Sequence, residues 1–128
     1  MQEVRVSNFE FAEKFKLRTK AFALRVFKLF QALSCKPDAQ ILGKQLLRSA
    51  TSVAANYRAA CRARSGAEFA AKIGIALEEA DESQFWLELL EESGIIPSDR
   101  LMHLKSEIAE LTAILTTIRK NATKKMTF

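Results

Sequence analysis

Residues 46–65 read LLRSATSVAANYRAACRARS, and the spacing within them decides the fold. Leu46, Ala50, Val53, Tyr57 and Ala60 recur alternately every fourth and third position, which is one face of an α-helix. The residues between are mostly Ala, Ser and Thr, small enough to let another backbone come close. Arg48, Arg58, Arg62 and Arg64 stand on the remaining faces. What packs on this helix, and what its arginines hold, are the questions the rest of the chain answers.

Working outward, Leu42 extends the same face, and Pro37 with Asp38 forms a helix start, so helix 2 is predicted over about 38–63. Downstream, Ser65-x-x-Glu68 has the capping-box form, in which serine and glutamate satisfy free backbone N–H groups at a helix start. It opens helix 3, predicted over about 66–92, with a core stripe of Phe69, Ile73, Ala76, Ala80, Ser83, Leu87 and Leu90. Gly94 is a left-handed stop. Pro97, Ser98 and Asp99 begin helix 4, predicted over about 98–120. Its Leu101, Leu104, Ile108, Leu111, Leu115 and Ile118 make a heptad seam. At the other end, Ser7-x-x-Glu10 is a second capping box and starts helix 1, predicted over about 8–34. Its apolar stripe is Phe11, Phe15, Phe22, Val26, Leu29, Phe30 and Leu33. Residues 121–128 form a basic tail expected to fray.

Four amphipathic helices with short connections predict an all-α, up-down-up-down antiparallel four-helix bundle, one domain over residues 1–128. Four glycines and two prolines are too few for a turn-rich β protein. No apolar run approaches the ~20 residues that cross a bilayer, and the N-terminus lacks the build of a signal peptide. A cytoplasmic location without a membrane partner is therefore expected. Cys35 and Cys61 have no metal-ligand spacing and read as free, buried small hydrophobes of a reducing compartment.

Charge is segregated along the chain. Residues 1–64 hold 13 Lys and Arg against 4 Asp and Glu, and residues 65–99 hold 1 against 9. The whole is +5, with a pI near 9.4. A basic half points to a polyanion such as RNA or DNA, or to the acidic segment as its internal partner. Antiparallel pairing of helices 2 and 3 about Ser65 sets Arg48 beside Ser83, within a turn of Glu79 and Glu82. Arg48 therefore reads as one partner of a structural ion pair. Arg58, Arg62 and Arg64 have no acid opposite and read as free to bind phosphate or a neighbouring subunit. Helix 1 adds a basic stripe of Lys14, Arg18, Arg25 and Lys28. If the two stripes share a face, the molecule offers one broad surface for nucleic-acid backbone. Helix 3 carries apolar residues away from its core stripe, namely Ile75, Phe85, Trp86 and Leu89. They read as an oligomer interface.

The segments QLLRSATSVAAN and RSGAEFAAKIGIALEEADESQFWLELLEESGII resemble the four-helix bundle protein family. That family includes proteins encoded by intervening sequences of large-subunit ribosomal RNA genes, and relatives of the accessory variability determinant of diversity-generating retroelements. The matching positions are Gln45, Leu46, Arg48, Ala50, Ser52, Val53, Asn56, Arg64, Ser65, Glu68, Phe69, Ile75, Ala76, Glu82, Leu87 and Gly94, with Lys20 and Ala21 on helix 1. After Asn56 the family commonly has an Ile-Ala-Glu-Gly turn, where this chain has Tyr57-Arg58-Ala59-Ala60, so helix 2 is expected to run on. The resemblance implies a homo-oligomeric ring, commonly a pentamer, and no known enzyme activity; no cofactor is expected. In the retroelement branch it also implies nucleic acid and a reverse transcriptase as partners.

Catalytic readings fit less well. A di-iron bundle needs two Glu-x-x-His motifs, and the chain has one histidine, His103, preceded at that spacing by Arg100. A Mg²⁺-dependent all-α nucleotide pyrophosphohydrolase needs paired carboxylates on adjacent helices. Glu78-x-x-Asp81, Glu79-x-x-Glu82, Glu88-x-x-Glu91 and Glu107-x-x-Glu110 have that spacing, which is also common on solvated helices, and Glu107 and Glu110 are expected at solvent positions. The expected function is a non-enzymatic, homo-oligomeric scaffold that binds nucleic-acid backbone without reading bases. A protein–protein adaptor and the Mg²⁺-dependent hydrolase are the alternatives.

Overall fold

Small residues on facing stripes draw helices 2 and 3 into the closest helix pair of the molecule. The structure, a computed structural model, describes the backbone of residues 2–126 and the side chains of residues 8–124. Its elements are α1 (Gln2–Gln31), α2 (Pro37–Cys61), α3 (Gly66–Glu92) and α4 (Ser98–Met126), an up-down-up-down bundle. α3 packs on α4 and α1 on α2, while α1 and α4 touch least.

The core follows the periodicities. Phe22, Val26, Leu46, Val53, Ile73, Leu87, Leu90, Leu101, Ile108, Leu111 and Leu115 are fully buried, together with Ala50, Ala76 and Ala80. Between α2 and α3, the Ser49 and Ser83 hydroxyls bond each other at 2.9 Å. Ser49 can also donate to the Leu46 carbonyl, and Ser83 to that of Glu79. Two buried hydroxyls are thus satisfied without holding the helices apart. Gly43 performs the same service towards α1, because a methyl there would strike the Leu33 and Phe30 side chains.

The helix starts and stops have local causes. Pro37 occupies the first turn of α2, and the Asp38 carboxylate accepts the Ala39 N–H at 2.8 Å. Ser65 caps α3 by accepting the Glu68 N–H at 3.1 Å, and Glu68 reaches back to the Arg64 N–H at 3.0 Å. Gly94 ends the α3 turn at φ +79°, the left-handed region that glycine enters without a Cβ clash.

Several boundaries and surfaces differ from expectation. α1 begins at Gln2, so Ser7 is not its cap, and the Ser7 side chain lies outside the described residues. α1 ends at Gln31, before the Ser34–Pro37 turn. α2 stops at Cys61, with the Arg62 and Ala63 N–H groups closing onto Ala59 and Ala60. α4 runs through most of the basic tail because nothing there breaks a helix, neither glycine nor proline. Residues 127–128 lie outside the described residues. Phe11 is half exposed and stacks on Phe15 at 5.7 Å rather than entering the core. Cys35 is exposed in the α1–α2 turn and Cys61 is half-buried, so neither is the buried hydrophobe expected. Cys61 sits beside Tyr57, whose phenol burial pushes well above its ordinary pKa, with Cys61 adding to the shift.

A matched pair of substitutions on α2 tests the small-residue contact. Ala50→Leu is expected to cost about 1–3 kcal/mol by overpacking. Ala55→Leu, on the exposed face, should stay within about 0.5 kcal/mol. Urea denaturation of both reads the difference.

Candidate nucleic-acid interface

The arginines of α2 go to two different sides. Arg48 leans to α3, where it donates to Glu79 at 3.0 Å and Glu82 at 2.7 Å. Its side chain remains 51% exposed, so the pair is a surface clamp over the Ser49–Ser83 contact. Arg58 and Arg62, four residues apart, lean to α1. With Ala54 and Ala55 they form one wall of a groove of about 370 Å³, and Glu13, Lys16, Leu17 and Lys20 form the other. Beneath it the Phe15 ring meets the Tyr57 ring edge-on at 4.7 Å, which fixes the helices at this level. Lys16 pairs with Glu13 at 2.6 Å. Among the described residues, Lys20, Arg58 and Arg62 make no ion pair. Arg64 is exposed in the α2–α3 turn, beyond the groove lining.

The helix 1 stripe does not join this wall. Arg18 faces α4, and its guanidinium donates twice to Glu107, at 2.8 Å each, with Glu110 at 3.4 Å. Arg25 lines a shallow groove on that same flank with Asp99, Arg100 and His103. Lys14 and Lys28 follow Arg18 and Arg25 at helical spacing and are exposed. The broad single basic surface is therefore divided into two flanks of α1. Arg18 is spent on the bundle rather than left for phosphate. Glu107, expected at a solvent position, is only 17% exposed for the same reason. Arg18, first by hydrogen bonding and then by its charge, holds the Glu107 carboxyl below the usual carboxylate range. Lys16 and Lys20 were not among the expected phosphate ligands. Their four-residue spacing was visible, but which flank of α1 meets α2 was not.

On α3, Ile75 and Phe85 are exposed, whereas Trp86 and Leu89 are half-buried. Trp86 packs against the core, and its indole Nε1 is enclosed without a hydrogen-bond partner among the described residues. Phe85 meets its ring edge-on at 5.0 Å. A larger exposed apolar set lies on α1, where Phe9, Leu17, Leu24 and Phe27 point away from the core.

The carboxylate pairs weighed for Mg²⁺ are mostly engaged elsewhere. Arg48 holds Glu79 and Glu82, and Lys105 and Ser98 hold Glu91. Among the described residues, no three His, Cys, Asp or Glu side chains gather closely enough to hold a metal ion.

The sequence model of the 23S rRNA-intervening sequence protein family matches residues 7–117. A crystal structure of a protein of unknown function from the S23 ribosomal protein family of Bacteroides thetaiotaomicron VPI-5482 is 35% identical, with a TM-score of 0.79 over 85% of this chain and 97% of that one. No curated protein matches the chain.

The two ion pairs predict different responses. Arg48→Met is expected to cost under about 1 kcal/mol, because the pair is solvated. Glu107→Gln removes a two-bonded, less exposed partner and should cost about 1 kcal/mol at pH 7. The Glu107 pKa is depressed on folding, so its contribution is present above the unfolded value and disappears as pH falls through the folded value. Denaturation curves of parent and Glu107→Gln should therefore draw together as pH falls below the ordinary glutamate range and through the lowered folded value.

Proposed function

Because the chain belongs to the 23S rRNA-intervening sequence protein family, we propose that it is a homo-oligomeric bundle scaffold that binds nucleic-acid backbone through phosphate contacts. One observation carries this reading: the basic half of the chain is not neutralised from within. Among the described cations of residues 1–64, those in ion pairs are Lys16, Arg18 and Arg48, and Arg48 alone reaches the acidic segment 65–99. The remaining cations face solvent, where a polyanion releases counterions by neutralising them. The basic face of α2 offers small residues rather than aromatics for base stacking, so the reading is of backbone and not of sequence.

The scaffold half of the proposal rests on exposed apolar surface. α1 shows Leu17 at 63% and Leu24 at 55% exposure, beside Lys20 and Lys28. α3 shows Ile75 and Phe85 beside Glu78, Asp81 and Glu88. One face is apolar and basic, the other apolar and acidic. Unlike faces that complement each other join head to tail, and such contacts form a ring where the rotation between subunits closes. A pentameric ring is the form this proposal takes, by likeness to the family. The same apolar faces favour the second reading, a protein–protein adaptor, if no nucleic acid binds.

Light scattering is expected to give a mass several times the 14.4 kDa chain. Mobility shifts should appear on RNA and DNA of unrelated sequence and weaken by orders of magnitude between low and physiological salt. A monomer at micromolar concentration removes the scaffold. Absence of any shift at low salt removes the nucleic acid and leaves the adaptor.

A further inference from the structure

The groove between α1 and α2 has a construction that the general basic character of the chain does not require. Its walls carry cations in two rows, Lys16 and Lys20 on α1, and Arg58 on α2 with Arg62 at the C-cap of that helix. Each row repeats every four residues, about 6 Å along its helix. Between the rows the lining is Ala54, Ala55 and Leu17, and two alanines leave the space open where larger side chains would fill it. The rows cannot easily spread, because the neighbouring residues Phe15 and Tyr57 are buried and pack ring against ring beneath them. Glu13 engages Lys16, which anchors that ammonium on the α1 wall. Lys20, Arg58 and Arg62 have no such partner among the described residues, so three cations converge on one cleft with their charge uncompensated.

Resting on the nucleic-acid reading above, we infer that this groove is the seat for successive backbone phosphates of a single strand. A phosphodiester carries its charge on two oxygens that accept from several donors at once. Guanidinium forks on one wall and ammonium groups on the other supply donors from two directions. The repeat along each row is comparable with the separation of successive phosphates on an extended strand. The lining has no aromatic side chain on which a base of a single strand could stack, so contact stays with the backbone.

The test is binding of a 20-nucleotide single-stranded RNA of mixed sequence by the full chain, across a salt series. Arg58→Gln/Arg62→Gln is expected to weaken binding at least about tenfold and to lower the slope of log K against log salt by about two. Arg119→Gln/Lys120→Gln removes the same net charge from exposed positions on α4, outside both the groove and the basic half, and should change binding by no more than about twofold. If both variants weaken binding equally, diffuse charge does the work and the groove inference fails while the nucleic-acid reading stands. If the parent does not bind RNA at low salt, that reading fails, and calorimetry with AMP against adenosine decides the groove. Saturable AMP binding that Arg58→Gln/Arg62→Gln abolishes keeps it as a phosphate seat served by a free nucleotide, and no AMP binding overturns it. A lower mass of Arg58→Gln/Arg62→Gln by light scattering also overturns it, since the groove would then be a subunit contact.

Discussion

The closeness of α2 and α3 sets the terms for everything else in this bundle. It requires small side chains where the helices cross, and the chain supplies Ser49, Ala50, Ala76, Ala80 and Ser83, all buried. Hydroxyls in such a contact would destabilise it if left unpaired. Here each finds the other and has a carbonyl of its own helix within reach. The register fixed by that crossing brings Arg48 over Glu79 and Glu82. It also turns the Arg58–Arg62 edge away from α3 and towards α1. The clamp and the groove are therefore two consequences of one packing decision.

A tight inner pair leaves the outer helices with unequal duties. α1 and α4 meet least, and the Arg18–Glu107 fork helps to join them where apolar contact is thin. A charge pair at the bundle's loosest seam leaves that seam more dependent on its ions than the α2–α3 contact, where buried small residues and the Ser49–Ser83 bond lie between the helices that Arg48 also joins. The same openness accounts for α1's two characters. Its inward stripe is buried, and its outward side retains Phe9, Leu17, Leu24 and Phe27 with nothing of the described chain over them.

Most of the fold was legible because periodicity is a direct image of burial. The helix 4 seam from Leu101 to Leu115 is buried at every position named, and the helix 2 stripe from Leu46 to Ala60 likewise. Boundaries were less legible where no residue forces a stop. α4 continues to Met126 because its basic tail contains nothing incompatible with a helix, and α1 starts ahead of a serine that could have capped it. The second apolar stripe of helix 3 divides between core and surface for a geometric reason. On helix 3, Trp86 lies at the border of the core stripe, and an indole is large enough to reach back over that border. Phe85, one residue earlier, points too far round to do so.

The site was the least legible part, because residue type does not decide what an arginine does. Arg18 and Arg58 are both helical, both flanked by small or apolar residues, and both part of basic stripes. Across from Arg18, α4 presents Glu107, and the guanidinium is captured. Across from Arg58, α1 presents Glu13, but Lys16 stands one turn away on the same helix and holds that carboxylate. The competition between a lysine and an arginine for one glutamate is a matter of rotamer reach and helix orientation, neither of which periodicity encodes. An unpaired arginine near a surface has little cost, since water solvates it. Where several share a cleft, however, their potentials add, and an anion placed there would relieve their mutual repulsion.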